Sequence, residues 1–189
     1  GWVDEITYKI EDLVARVKKA KENKEVVSIA YVGNIVEVWE QFYENRIRVE
    51  MGSDQTSLHN PWSGGYYPVD LTFDASNQLI KKDPERFKIE VQETLRRHAK
   101  AINKHVALGT YFFDYGNAFL LEASRAGGDV LNEEGTDFKF RSYVQDILGP
   151  MCFDYGFGPF RWICTSADPE DLAKTDALAL QTMLALKKE

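Results

Sequence analysis

Val26-Val-Ser-Ile-Ala-Tyr-Val-Gly-Asn34 is an apolar, β-rich run that stops at a Gly-Asn pair, and Ile35, Val38, Trp39 and Phe42 follow it at helical spacing. Ile47-Arg-Val-Glu-Met51 then resumes a strand pattern and ends in the polar stretch Gly52-Ser-Asp-Gln-Thr-Ser57. A buried strand meeting a turn, a helix and a second strand, all joined by short connections, make a βαβ unit, which implies parallel strands. This reading sets the fold class as α/β.

Working outward, Ile6, Ile10, Leu13, Val14 and Val17 recur at offsets of three and four, the face of an amphipathic helix. On the other side, His59-Asn-Pro-Trp-Ser-Gly-Gly-Tyr-Tyr-Pro68 is rich in turn-forming residues. Asp83-Pro84 supplies an N-cap and a proline at the first helical position, and Phe87, Val91, Leu95, Ile102 and Val106 lie on one stripe of the long helix that follows. Thr110-Tyr-Phe-Phe-Asp-Tyr115 is a further strand, ending at Gly116-Asn117 before a helix from Ala118 to Ala126. The expectation is three parallel strands near residues 26–32, 47–53 and 108–114 with helices between them. Beyond Gly127-Gly128 the pattern changes to a charged loop, a glycine-aromatic stretch and a final helix from Asp168-Pro169, carrying Leu172, Leu180, Met183 and Leu184. The expected organisation is therefore an α/β part over residues 1–130 and a mainly helical part over 131–189.

The 189 residues carry 30 acidic against 23 basic side chains, for a formal net charge of -7, and a sequence pI near 5.1. Non-specific nucleic-acid affinity comes from clustered Lys and Arg, so this balance argues against a phosphate-backbone binder, and Arg16-Val-Lys-Lys-Ala-Lys21 reads as a solvated helix face. There is no apolar run of the roughly 18 residues or more that would span a bilayer. Cys152 and Cys164 suit a reducing cytoplasm and are too far apart for a CxxC motif, and His59, His98 and His105 do not fall in a metal-ligand spacing. The opening Gly1-Trp-Val-Asp-Glu-Ile-Thr lacks the layout of a signal peptide, and without a leading Met the chain reads as part of something longer.

Ligands of open α/β sheets sit at the carboxyl ends of the strands. Gly33-Asn34 and Asp54 to Ser57 fall there, where amides and short polar side chains can bond phosphate or ribose oxygens. The same residues are also favoured as turns and helix caps, and spacing leaves both roles open. No GxGxxG loop follows any of these strands. Gly156-Phe-Gly-Pro-Phe-Arg-Trp162 presents one guanidinium between aromatic rings, suited to bidentate capture of a carboxylate or to a structural stack. His59 is either an acid, base or phosphate contact or a loop hydrogen-bonder. Asp114 and Asp154 each stand in Phe-Asp-Tyr-Gly, a short coincidence, and the two cysteines read as buried small hydrophobes.

Taken together, Asp54-Gln-Thr-Ser-Leu-His-Asn-Pro61, Gly64-Gly-Tyr-Tyr-Pro68, Phe113-Asp-Tyr-Gly-Asn117, Ser142-Tyr-Val-Gln-Asp146 and Gly156-Phe-Gly-Pro-Phe-Arg-Trp162 resemble the urocanases over nearly the whole chain. The resemblance implies a partial Rossmann-like parallel sheet, the later half of an NAD-binding domain, followed by a segment of the core domain. It implies hydration of urocanate to imidazolonepropionate in histidine degradation, with tightly bound NAD+ serving as an electrophile rather than as a hydride carrier. It also implies a cytoplasmic enzyme that is a homodimer at full length, with urocanate as its small-molecule partner and no metal.

Position by position, the resemblance makes Asn34 and Ile35 a cofactor-contacting pair at a strand end. Gln55, Thr56, Ser57, Leu58 and His59 correspond to the family's cofactor loop, Tyr66 and Tyr67 to adjoining contacts, and Tyr115 to a further one. Arg161 corresponds to the arginine that holds the substrate's carboxylate, in agreement with the isolated guanidinium read from the sequence. The family's glycine-rich phosphate turn and ribose-binding acid would lie upstream and its activity-linked cysteine downstream. On that basis the chain is an interior segment with no assignable catalytic residue, inactive by itself. The alternative is a catalytically silent dinucleotide-binding or interaction module.

Overall fold

A computed structural model describes residues 2–54, 61–115, 118–156, 158 and 164–186. The chain divides into two compact units, Gly1–Pro150 and Met151–Glu189. Val130, where the sequence pattern changes, is fully buried in the core of the first unit.

In the first unit, strand β1 (Glu5–Thr7) leads to helix α1 (Ile10–Asn23), β2 (Ile29–Tyr31), α2 (Ile35–Glu44) and β3 (Met51–Ser53). Helices α3 (Phe73–Lys82) and α4 (Pro84–Ala107) then lead to β4 (Tyr111–Asp114), α5 (Phe119–Arg125) and β5 (Arg141–Ser142). All pairings between these strands are parallel, but they form two sheets: β1 with β2, and β3-β4-β5 with β4 in the middle. The parallel α/β class read from the sequence is what the chain adopts. Its three expected strands are present in shortened form, divided between the two sheets.

Ile6 does not belong to the first helix. It pairs with Ala30 in β1, and the extended backbone of Lys9 (φ -120°, ψ 135°) separates it from α1. Nor is the basic run of α1 simply solvated: Arg16 bonds both Glu5 and Glu25 at 2.6 Å, and Lys21 reaches Glu50 at 3.0 Å. Such half-exposed pairs are worth about 1 kcal/mol or less each. They fasten α1 to β1 and to the segment before β3.

The core forms where α4 lies across α2, α5 and β4. Asp83 accepts from the Arg86 N–H at 3.0 Å and Pro84 opens α4, so both start signals in the sequence are used. Phe87, Val91, Leu95 and Ile102 are buried along its stripe with Val36, Trp39, Phe112 and Phe119, and Val106 packs at the edge. Helix α3 has its own signal in Thr72, whose hydroxyl accepts from the Ala75 N–H. Gly52 is required by packing, because a Cβ there would collide with the buried Trp39 ring. His98 and His105 are core residues: His105 Nε2 lies 2.8 Å from the Trp39 carbonyl oxygen.

In the second unit a short 3-10 turn, Phe153–Tyr155, precedes the helix Pro169–Leu186. That helix is apolar on several sides and buries none of its described side chains, Leu178, Leu180, Met183 and Leu184 being more than half exposed. Cys152 and Cys164 are half-buried free thiols rather than core residues, the Cys164 Sγ lying 3.1 Å from Ser166 Oγ. No helix among the described residues is long and apolar enough to cross a membrane.

Candidate functional site at the carboxyl ends of the strands

Strand β2 runs out at Asn34, and its buried side chain is fully employed. The Oδ1 caps α2 by accepting from the Val36 N–H at 3.0 Å, while Nδ2 donates to the Tyr67 carbonyl at 2.8 Å. Of the roles open in the sequence the structure shows the cap, and it adds a second, since the same residue pins a distant loop beside the end of β2. Asn34→Ala removes a cap and strands a carbonyl, and should cost about 1–2 kcal/mol. Urea unfolding checks this, and an unchanged midpoint would show that the loop holds itself in place.

The pinned loop brings two tyrosines of different kinds. Tyr66 is buried, its hydroxyl 3.0 Å from His98 Nδ1 and its ring stacked on that imidazole at 6.2 Å. Burial raises the Tyr66 phenol well above its ordinary range and drives the His98 imidazole down to about 3, so the pair is neutral at any ordinary pH. Tyr67 is half-buried, with its ring edge-on to Phe73 at 6.0 Å. Ile35, 45% exposed, leaves an apolar surface at the start of α2.

Strands β3 and β4 end together. Ser53 is the register partner of Phe113, so the next residues, Asp54 and Asp114, stand side by side on adjacent parallel strands. Asp54 Oδ1 accepts from the Tyr115 N–H at 3.0 Å. Tyr115 in turn stacks on Tyr143 with centroids 5.1 Å apart and planes only 3° from parallel. On the far side of Asp114 a cavity of about 560 Å³ opens, walled by Ala118, Phe140, Arg141, Ser142 and Gln145 among others. The turn Tyr143–Leu148 that closes it is tied down by Asp146 Oδ2, which accepts from the Ser142 N–H at 2.7 Å.

Asn34, followed by Ile35, thus meets the Tyr66-Tyr67 loop beyond the end of β2, and Tyr115 meets Asp54 beyond the ends of β3 and β4. Gln55, Thr56, Ser57, Leu58, His59 and Arg161 lie outside the described residues. Asp54 belongs to the strand-end stretch Asp54 to Ser57 that the sequence marks, and Asp114 to Phe-Asp-Tyr-Gly, but nothing in the sequence brings the two together.

Among the described residues no group of three or more His, Cys, Asp or Glu could hold a metal ion. Ile35 and Tyr115 are exposed and Tyr67 is half-buried, so apolar and aromatic faces of the kind that pack against planar rings are open at these positions.

Parallel strands flanked by helices, with polar and aromatic groups converging on the strands' carboxyl ends, define a Rossmann-like α/β domain. Residues 1–147 match the urocanase Rossmann-like domain and residues 150–189 the urocanase C-terminal domain, so the chain belongs to the urocanase family. It is 51% identical to a probable urocanate hydratase of Caenorhabditis elegans over 99% of its own length, and 51% identical to one of Dictyostelium discoideum over 100%. The urocanate hydratase of Mus musculus is 49% identical over 97% of the chain. In each case the chain spans 28% of the curated relative's length.

Proposed function

We propose that this chain is the cofactor-binding part of a urocanate hydratase, an NAD-dependent hydro-lyase of histidine degradation that adds water to urocanate. The observation that carries the reading is the convergence of Asn34, Ile35, Tyr67 and Tyr115 on the strand ends of a urocanase-family domain. The bound NAD+ supplies an electron-poor nicotinamide ring.

The protein's own part is placement. Asn34 holds the Tyr67 loop against β2, so its side chain positions the site rather than contacting the ligand, and Tyr66 does the same through His98. Ile35, Tyr67 and Tyr115 present their free faces to the cofactor. Gln55, Thr56, Ser57, Leu58 and His59 supply further cofactor contacts, and Arg161 holds the urocanate carboxylate as a bidentate cation. A homodimeric, cytoplasmic parent enzyme belongs to the same reading. The isolated chain is expected to bind cofactor without turning over urocanate.

Calorimetric titration of NAD+ into the purified chain, first freed of any carried cofactor, tests this. Saturable binding is expected, weakened about tenfold in Gln55→Ala or Ser57→Ala through loss of one hydrogen bond of about 1–1.5 kcal/mol. No binding to a well-folded chain would overturn the assignment of these strand ends as a cofactor site in their own right. Urocanate turnover by the chain alone would overturn its expected inactivity.

A further inference from the structure

The cofactor reading leaves two carboxyl groups at the centre of the strand ends unused. Asp54 and Asp114, adjacent by register, are 5% and 8% exposed. While Asp54 Oδ1 takes the Tyr115 N–H, its Oδ2 is buried with no hydrogen-bond partner among the described residues. By the register the Asp114 side chain stands beside that of Asp54, on the same face of the neighbouring strand. As carboxylates, both groups are acceptors only and cannot bond each other. One proton between them abolishes the like-charge repulsion and gives the orphaned oxygen its partner.

The groups around the pair fit this state. The Tyr66 phenol, whose ionised form the Asp54 charge also disfavours, is kept neutral by burial, as is the His98 imidazole beside it on α4. Across the cavity beside Asp114 stand Asp137, Lys139, Arg141 and Asp146. Lys139 is bonded to Asp129 at 2.8 Å and Arg141 to Asp146 at 3.3 Å, so both of these cations already have acidic partners.

We propose that Asp54 and Asp114 share a single proton and act as a positioning pair, clamping the carboxyl ends of β3 and β4 together against Tyr115, so that dinucleotide binding there depends on that proton. The second half rests on the cofactor reading above. Loss of the proton sets two negative charges side by side, which forces the strand ends apart and repels an anionic pyrophosphate. Burial first, and the Asp114 carboxyl after it, push Asp54 up to about 7, which places the change near neutral pH.

Carbon-13 NMR of the aspartate carboxyl carbons in the whole chain tests the shared proton without any cofactor. One carboxyl titrating near neutrality, and missing from that range in Asp54→Asn, is the expected result. Titration of every aspartate near pH 4 would overturn the proposal. NAD+ calorimetry between pH 5.5 and 8.5 tests the coupling. Affinity should fall by up to about tenfold per pH unit above the midpoint in the wild type and stay flat in Asp54→Asn, which keeps both bonds without the charge. Saturable binding with the same pH profile in both proteins would overturn the coupling. Absence of NAD+ binding at every pH, with the neutral titration present, would overturn the cofactor reading and the coupling together while the shared proton stands.

Discussion

Phe119→Ala is expected to lower the stability of the first unit by about 3–5 kcal/mol, the usual cost of emptying a buried aromatic site. Phe119 is fully buried at the start of α5, 4.6 Å from the His98 ring and 6.1 Å from Phe112, and so joins α4, α5 and the central strand at one point. The hole left behind would be lined by groups that cannot easily close it, because His98 is held by Tyr66 and Phe112 by its place in the sheet. Urea denaturation at constant pH measures the loss, and Phe119→Leu should cost less than half as much. A change below about 1 kcal/mol would show that α5 repacks freely and does not brace the strand ends.

Asp54→Asn is expected to stabilise the protein at pH 8, against the usual outcome of removing a charge from an aspartate. The folded-state pKa of Asp54 lies at about 7 against an ordinary 3.8. Between those values the folded chain keeps a proton that the unfolded chain has released, so stability declines as pH rises through this window and levels off above it. The asparagine variant carries no such penalty while still accepting from the Tyr115 N–H. Wild type and variant should therefore agree near pH 4 and diverge by about 2–4 kcal/mol in favour of the variant by pH 8. Parallel stability curves across that range would refute a raised Asp54.

Much of the local architecture was legible in the sequence. The strand-to-turn signal at Gly33-Asn34, the Asp83-Pro84 start and the stripe Phe87, Val91, Leu95 and Ile102 all act through neighbours a few residues apart, so their periodicity and capping chemistry survive in the bare chain. Ile6 misled because a three-residue strand followed closely by a helix reproduces helical spacing across the junction. Helix α3 is hard to see in the sequence because its Thr72 cap follows directly on a loop dense in turn residues.

For the candidate site the sequence offered a location at the strand ends and no settled roles. Asn34 and Tyr66 stood among the expected cofactor contacts, yet the first spends its amide on Val36 and Tyr67 and the second its hydroxyl on His98. Whether a polar side chain faces a ligand or serves the fold depends on what packs beside it, which no residue type reveals.

By itself, then, the sequence determined an α/β chain with parallel strands, its principal helices and their caps, and its likeness to the urocanases, because these rest on local periodicity and on motifs read in order. Only the tertiary structure decided that β2 and β3 lie in separate sheets, that Tyr66 is core, and that Asp54 stands beside Asp114. Each of these depends on pairing and burial between segments far apart in the chain, and Asp54 neighbours Asp114 only because β3 and β4 pair in the register Ser53 to Phe113.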